Sequence, residues 1–238
     1  MGKSGLNQGR TKHGNTVKEW RRFEMKRHLA RLTLGMMVVC VVASCGPAQT
    51  PVPTETPVPP TPAPVPLELT SPAFIPGGMI PVKYAHYDED ISLPLEWGDP
   101  PEGTQSFALL VYSDPLPDGG GNWVQWVLYN IPPETRGLPE GITPDADGKL
   151  PDGSQHYENS WGELGYGGPN PQHVTTGSYY FELYALDTML DLEAVAKALD
   201  EAGELPWIGP SKTVFLKAIE GHVLAVGELV GKHKRESE

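Results

Sequence analysis

The chain of 238 residues carries 30 acidic against 18 basic side chains, a formal net charge of −12, together with 27 Gly and 26 Pro. That is chain enough for one domain with extensions, and it holds too much glycine and proline for a helical bundle. The acidic balance excludes nucleic acid as a general partner.

Taken in chain order, residues 1–44 read as an extension ending in a secretory signal. Lys26, Arg27 and Arg31 lead into a mostly apolar run, 32–44, which matches the charged and apolar parts of such a signal. The run is too short to span a bilayer, which takes about 20 apolar residues. It ends Val42-Ala43-Ser44-Cys45, which resembles a bacterial lipobox and implies cleavage before Cys45 with a diacylglycerol on its sulfur. Met25 directly precedes the charged part, so a start there would leave 1–24 untranslated. Nine prolines fall between 46 and 66, so residues 45–66 form a lipidated cysteine and an extended tether, reaching at most roughly 65 Å at ~3.1 Å per residue. Two or three acyl chains make a durable anchor where one does not. The expected location is the extracytoplasmic face of the cell membrane. Residues 1–44 hold nine Lys or Arg and two acidic residues, leaving nine basic and 28 acidic groups beyond, a net charge near −19. A surface of that sign repels anionic headgroups as general partners. Cys40 leaves with the signal, so packing alone holds the folded part.

The folding part is expected over 67–235, with a tail at 236–238. Strand patterns recur at 79–85, 105–113, 123–131, 178–186 and 223–230, between loops rich in Pro, Gly and Asp. Segment 123–131 puts Trp123, Gln125, Val127 and Tyr129 on one face, so the Gln125 amide falls in an apolar row and needs partners. Segment 178–186 is apolar on both faces, as in a strand covered on both sides, with Glu182 as the interruption. Asp191 caps a helix ended by Gly203, and Ser211 caps a second ended by Gly221. The fold class is mainly β: an antiparallel β-sandwich with Greek-key-type connections and two short helices in its C-terminal half.

In the loops, Gly162, Gly165, Gly167 and Gly168 precede Pro169 and Pro171, so the backbone there can turn sharply or approach a ligand closely. Asp145-Ala146-Asp147-Gly148 lacks the remaining oxygens of a calcium loop and reads as an exposed Asx-type turn. The seven histidines show no paired metal spacing, so no metal and no cofactor is expected. There is no GxSxG elbow, and Asp152, Ser154 and His156 sit too close together in one loop for a triad. A binding protein is expected, not an enzyme.

Segments ISLPLEW (91–97), PEGTQSFALLV (101–111), WVQWVLYNI (123–131), LPDG (150–153), the 159–188 stretch and EGHVLAVGELVG (220–231) together resemble the phosphatidylethanolamine-binding protein family, in its bacterial, Raf-kinase-inhibitor-like branch. The resemblance spans about 67–235. It implies a small cavity at one end of the central sheet that binds anionic groups such as phosphate. The implied site residues are Asp114, Trp123, Gln125, Asn159, Gly167, Gly168, Pro169 and Tyr179. The chain departs from the family pattern in its donors. Gln125 stands where the family has a His, Gly177 and Ser178 replace the His and Arg of an HRY-like strand start, and the DPDAP segment reads Ser113-Asp114-Pro115-Leu116-Pro117. A neutral amide does not titrate, so weaker anion binding with little pH dependence is expected. His173 is a candidate substitute imidazole if its loop is rearranged.

The expected function is a membrane-tethered module for a small anionic or polar ligand such as a phospholipid headgroup. The alternative is a protease-inhibitor or protein-interaction module, with a protein partner or a homodimer. Trp161, Trp207 and Tyr166 are the aromatics that would make a partner patch.

Overall fold

The computed structural model describes residues 63–115, 121–171, 175–206 and 210–235. Cys45, His173 and Trp207, and with them the expected signal, the expected lipidation site and most of the expected tether, lie outside the described residues. Within the unit from Val58 to Glu238 the strands are β1 (Val65–Pro66), β2 (Leu69–Thr70), β3 (Leu95–Trp97), β4 (Ser106–Pro115), β5 (Asn122–Ile131), β6 (Gly137–Leu138), β7 (Gln155–Tyr157), β8 (Thr176–Leu186) and β9 (Val223–Lys234). Helices α1 (Leu192–Ala202) and α2 (Pro210–Ile219) come between β8 and β9. None of the described helices is long and apolar enough to cross a membrane.

A six-stranded sheet has the order β1-β9-β8-β4-β5-β7, and a three-stranded sheet the order β2-β3-β6. β4, β5, β8 and β9 are the long strands, and their mutual pairings are antiparallel. The mainly β class with two late helices is as expected. The two sheets are unequal, and their strand order does not trace a clear Greek key.

Alternation along the strands divides the buried side chains into two cores. Phe107, Leu109, Val111, Trp126, Phe181 and Leu183 pack with Leu69, Leu95, Trp97 and Leu138 of the small sheet. Ala108, Leu110, Val124 and Val127 cluster instead with Leu192, Leu199, Val214 and Phe215 of the helices. The large sheet is therefore the middle layer, covered on both faces, which explains the two apolar faces of β8. Glu182 survives in that strand because Tyr112 Oη and Tyr184 Oη each donate to its carboxylate at 2.6 Å. Burial, followed by these bonds to Glu182, raises the pKa of both phenols.

Helix α1 is capped as its sequence predicts. Asp191 accepts from Ala194 N at 3.0 Å, and Gly203 closes the helix at φ 71°. Helix α2 differs at its start, because Pro210 already belongs to it and Ser211 is buried in its first turn. Proline suits that position, where its missing N–H costs nothing. The expected strand 79–85 is also corrected. Met79 makes one bridge to Lys232, and the chain then turns into a 3₁₀ helix at Val82–Tyr84. Pro81 has no N–H for a ladder, and its carbonyl instead accepts from Tyr84 N at 3.1 Å.

On β7, His156 is buried with its ring stacked 6.1 Å from that of Trp126. Its Nδ1 lies 3.3 Å from Gly148 O, and its Nε2 has no protein partner. Burial lowers the pKa of this imidazole below the ordinary 6.5. The unfolded chain therefore binds the extra proton, and stability present at neutral pH is lost as pH falls below about 6.5. Urea midpoints should drop between pH 7 and pH 5, with a shallower slope in His156→Phe; equal slopes would remove His156 as the cause.

Candidate functional site

The loop after Asn159 is built by backbone bonds. Asn159 Oδ1 accepts from Trp161 N at 2.9 Å and Glu163 N at 3.1 Å, so Asn159 shapes the turn. The loop then docks against the start of β5 and the segment Tyr84–Asp90. Gly167 N donates to Gln125 O at 2.9 Å. The hydrogen-bond pattern fixes the Gln125 side-chain amide with Nε2 toward the loop, where it donates to Gly167 O at 2.6 Å and Gly168 O at 2.9 Å. Gly168 N donates to Asp90 Oδ1 at 2.7 Å, and Pro169 O accepts from His86 N at 3.1 Å.

Glycine is required at both positions by close approach. A Cβ on Gly168 would overlap the Tyr84 carbonyl oxygen, and one on Gly167 would lie 2.6 Å from Trp161 Cζ3. Both loop amides donate to the protein, so the expectation that they face a ligand is corrected: the loop is a wall. Gln125 is the structural amide that pins it.

Tyr179 is buried, 3% exposed. Burial raises its pKa, opposed by a hydrogen bond from the Asn170 backbone, so the phenol joins the same loop one residue beyond Pro169 and stays protonated at neutral pH. The Asp114 carboxylate accepts from Ser178 N at 2.8 Å and Tyr180 Oη at 3.0 Å. Asp114 is thus tied to β8 beside Tyr179, with both oxygens engaged. Trp123 is half-buried and meets Trp161 edge to face at 5.2 Å, its Nε1 buried without a partner.

Five side chains absent from the sequence-derived set complete this end of the sheet. His86 stacks on Trp161 with ring centroids 4.5 Å apart, and its Nδ1 lies 2.7 Å from Asp90 Oδ2. Asp90 has φ 52°, in the left-handed region, a conformation that its two side-chain bonds hold in place. Tyr87 Oη bonds His233 Nε2 at 2.7 Å, His233 Nδ1 bonds Ile80 O at 2.9 Å, and the Arg235 guanidinium lies 4.6 Å from the Tyr87 ring centroid. His233 is directly opposite Gly177 in the β8–β9 register. Imidazoles are therefore present at this end, but they come from other strands and loops.

A family model, "Phosphatidylethanolamine-binding protein", matches residues 70–234. The chain belongs to the phosphatidylethanolamine-binding protein family. It is 41% identical over 169 residues to a UPF0098 protein of Methanothermobacter thermautotrophicus, an alignment covering 71% of this chain and 99% of the relative. It is 34% identical over 173 residues to a UPF0098 protein of Chlamydia muridarum, covering 71% of this chain and all of that one. Among solved structures, it resembles a phosphatidylethanolamine-binding protein homologue of Chlamydia trachomatis at 31% identity and a TM-score of 0.57, covering 72% of this chain and 99% of that one. Escherichia coli YbcL matches at 25% identity with the same TM-score, covering 71% and 99%. These relatives consist of little besides the matched domain.

A surface concavity of about 350 Å³ is lined by Thr143, Pro144, Asp145, Lys149, Leu150 and Pro151 and holds none of the site residues. Beside it, Asp145 Oδ1 accepts from Asp147 N and Lys149 N, which makes the Asx turn read from the sequence. Asp152 Oδ1 accepts from Ser154 N, while Ser154 Oγ and His156 Nε2 have no protein partner, so these three do not form a triad. No group of His, Cys, Asp and Glu among the described residues is arranged to hold a metal.

Gln125→Leu leaves two loop carbonyls unpaired and should cost about 1–3 kcal/mol. Gly168→Ala, which must displace backbone, should cost at least as much. Urea denaturation measures both, and a Gln125→Leu protein as stable as wild type would show that the loop is held without this amide.

Proposed function

We propose that this family member is a membrane-tethered, extracytoplasmic binding module for a small anionic or phospholipid-headgroup-like ligand, without catalytic activity. The observation that carries the reading is the convergence of the Gly167–Pro169 loop, Tyr179, Trp123, Trp161 and His86 at one end of the large sheet. Aromatic faces exclude water there, and because the Asp90 carboxylate accepts from His86 Nδ1, the outward Nε2 donates to an anion in the protonated, cationic ring. The donor is His86 on the segment before β3, in place of the family imidazoles, and Asp90 orients its ring. Such a bond to a charged group is worth about 1.5–3 kcal/mol.

Isothermal titration calorimetry with phosphoethanolamine and inorganic phosphate tests the pocket. His86→Ala should weaken binding about tenfold or more, and Trp161→Ala should weaken it as well. No heat with either ligand, or affinities untouched by both variants, would defeat the reading. The tether is tested separately: Cys45→Ala should move the protein from the membrane fraction to the soluble one, and membrane retention of the variant would count against acylation.

A further inference from the structure

The segment from Ser71 to Val82, SPAFIPGGMIPV, contains no charged residue, yet it lies on the surface of an acidic domain. Within it Ile75 is 75%, Met79 53% and Val82 51% exposed. Exposed apolar side chains grouped this closely mark a contact surface, whereas scattered single ones do not. The segment is rigidly held. Gly78 N donates to Ile75 O at 2.8 Å, closing a turn, and Gly77 N donates to Val230 O at 2.7 Å. Ile80 N donates to Lys232 O at 2.7 Å, and Lys232 N returns to Gly78 O at 2.8 Å. The apolar ridge is thus bolted to the last residues of β9.

Those residues carry the cations. Lys232 and Lys234 are exposed, Arg235 is partly so, and among the described residues none of the three enters an ion pair. Elsewhere Lys83, Arg136, Lys197 and Lys217 are each paired with a carboxylate, while Lys149 and Lys212 also enter no ion pair among the described residues.

We infer that this ridge and its basic flank form a docking surface for a bilayer containing anionic phospholipid, with Ile75, Met79 and Val82 entering the interface and Lys232, Lys234 and Arg235 meeting headgroup phosphates. The inference goes beyond the proposed function and does not rest on the pocket. An exposed apolar turn with cations beside it suits insertion between headgroups. A protein partner of ordinary affinity would need about 800 Å² of complementary surface per side, which a single turn does not offer. The net charge near −19 beyond residue 44 does not oppose this, because the screening length is about 8 Å in physiological salt and the local charge decides. Asp88 and Glu89, next to Tyr87 in the chain, and Glu236 and Glu238, which follow Arg235 in the sequence, moderate that local charge, so the ridge supplies the anchoring and the cations the lipid preference. A chain acylated at Cys45 would hold this face within reach of a membrane.

Vesicle flotation of residues 63–238, which lack any acyl anchor, tests the surface with phosphatidylcholine vesicles and with phosphatidylcholine mixed with phosphatidylglycerol. Wild type should float with the mixed vesicles, less so as salt rises. Ile75→Asp with Met79→Asp should lower the partition coefficient about tenfold or more, and Lys232→Glu with Lys234→Glu about tenfold with loss of the salt dependence. Near-UV circular dichroism should be unchanged in both, and Ile75→Ser with Met79→Ser replaces the first pair if it is not. Three results would overturn the inference: no flotation of wild type with mixed vesicles, flotation indifferent to both pairs, or light scattering showing a wild-type dimer that the ridge variants split. Phosphoethanolamine binding in calorimetry without flotation would leave the pocket standing and remove the surface.

Discussion

Close backbone contact between the Gly167–Pro169 loop and the segment Tyr84–His86 is the constraint on which this end of the molecule depends. There is no room for a side chain on Gly168 against the Tyr84 carbonyl, so two chain segments meet nearly backbone to backbone. Contact of that kind buries peptide groups that must find partners. They do: Gln125 takes two loop carbonyls, Asp90 takes the Gly168 amide, and the His86 amide takes Pro169 O. The glycines that could have made an anion cradle are used to let the walls touch.

Asp90 shows how one residue serves both purposes. One carboxylate oxygen fixes the loop and the other fixes the His86 ring, which lies flat on Trp161. Tyr87, between them in the chain, faces the other way to bond His233 and stack beneath Arg235. The short segment from Tyr84 to Asp90 therefore connects the glycine loop, the tryptophan wall and the end of β9. Its left-handed residue is tolerable because both side-chain oxygens are bonded across it.

Much of this was legible in the chain itself, for reasons that differ by element. Strands β4, β5 and β8 were readable because each carries a long run of apolar and aromatic residues between loops rich in Pro, Gly and Asp, and α1 because its cap and closing glycine are local signals. Segment 79–85 misled because its apolar residues alternate while Pro81 removes the ladder donor. The pin at Gln125 was visible as an amide in an apolar row that needed partners, although nothing local said that the partners would be loop carbonyls. His86 and Asp90 were hidden because Gly168 lies 78 residues from Asp90, and proximity at that separation follows from the pairing of the whole sheet.

The position of His233 follows from strand pairing too. Residues directly opposite on antiparallel strands project to the same face, so His233 on β9 reaches the side of the sheet left empty by Gly177 on β8. An imidazole moved one strand sideways does not keep its role, however. Both nitrogens of His233 are taken, by Ile80 O and Tyr87 Oη, and the ring is 2% exposed, so it supports the wall from behind. His86 has one nitrogen committed to Asp90 and its side chain is 29% exposed. Of the two, only His86 combines a ring fixed by a carboxylate with partial exposure.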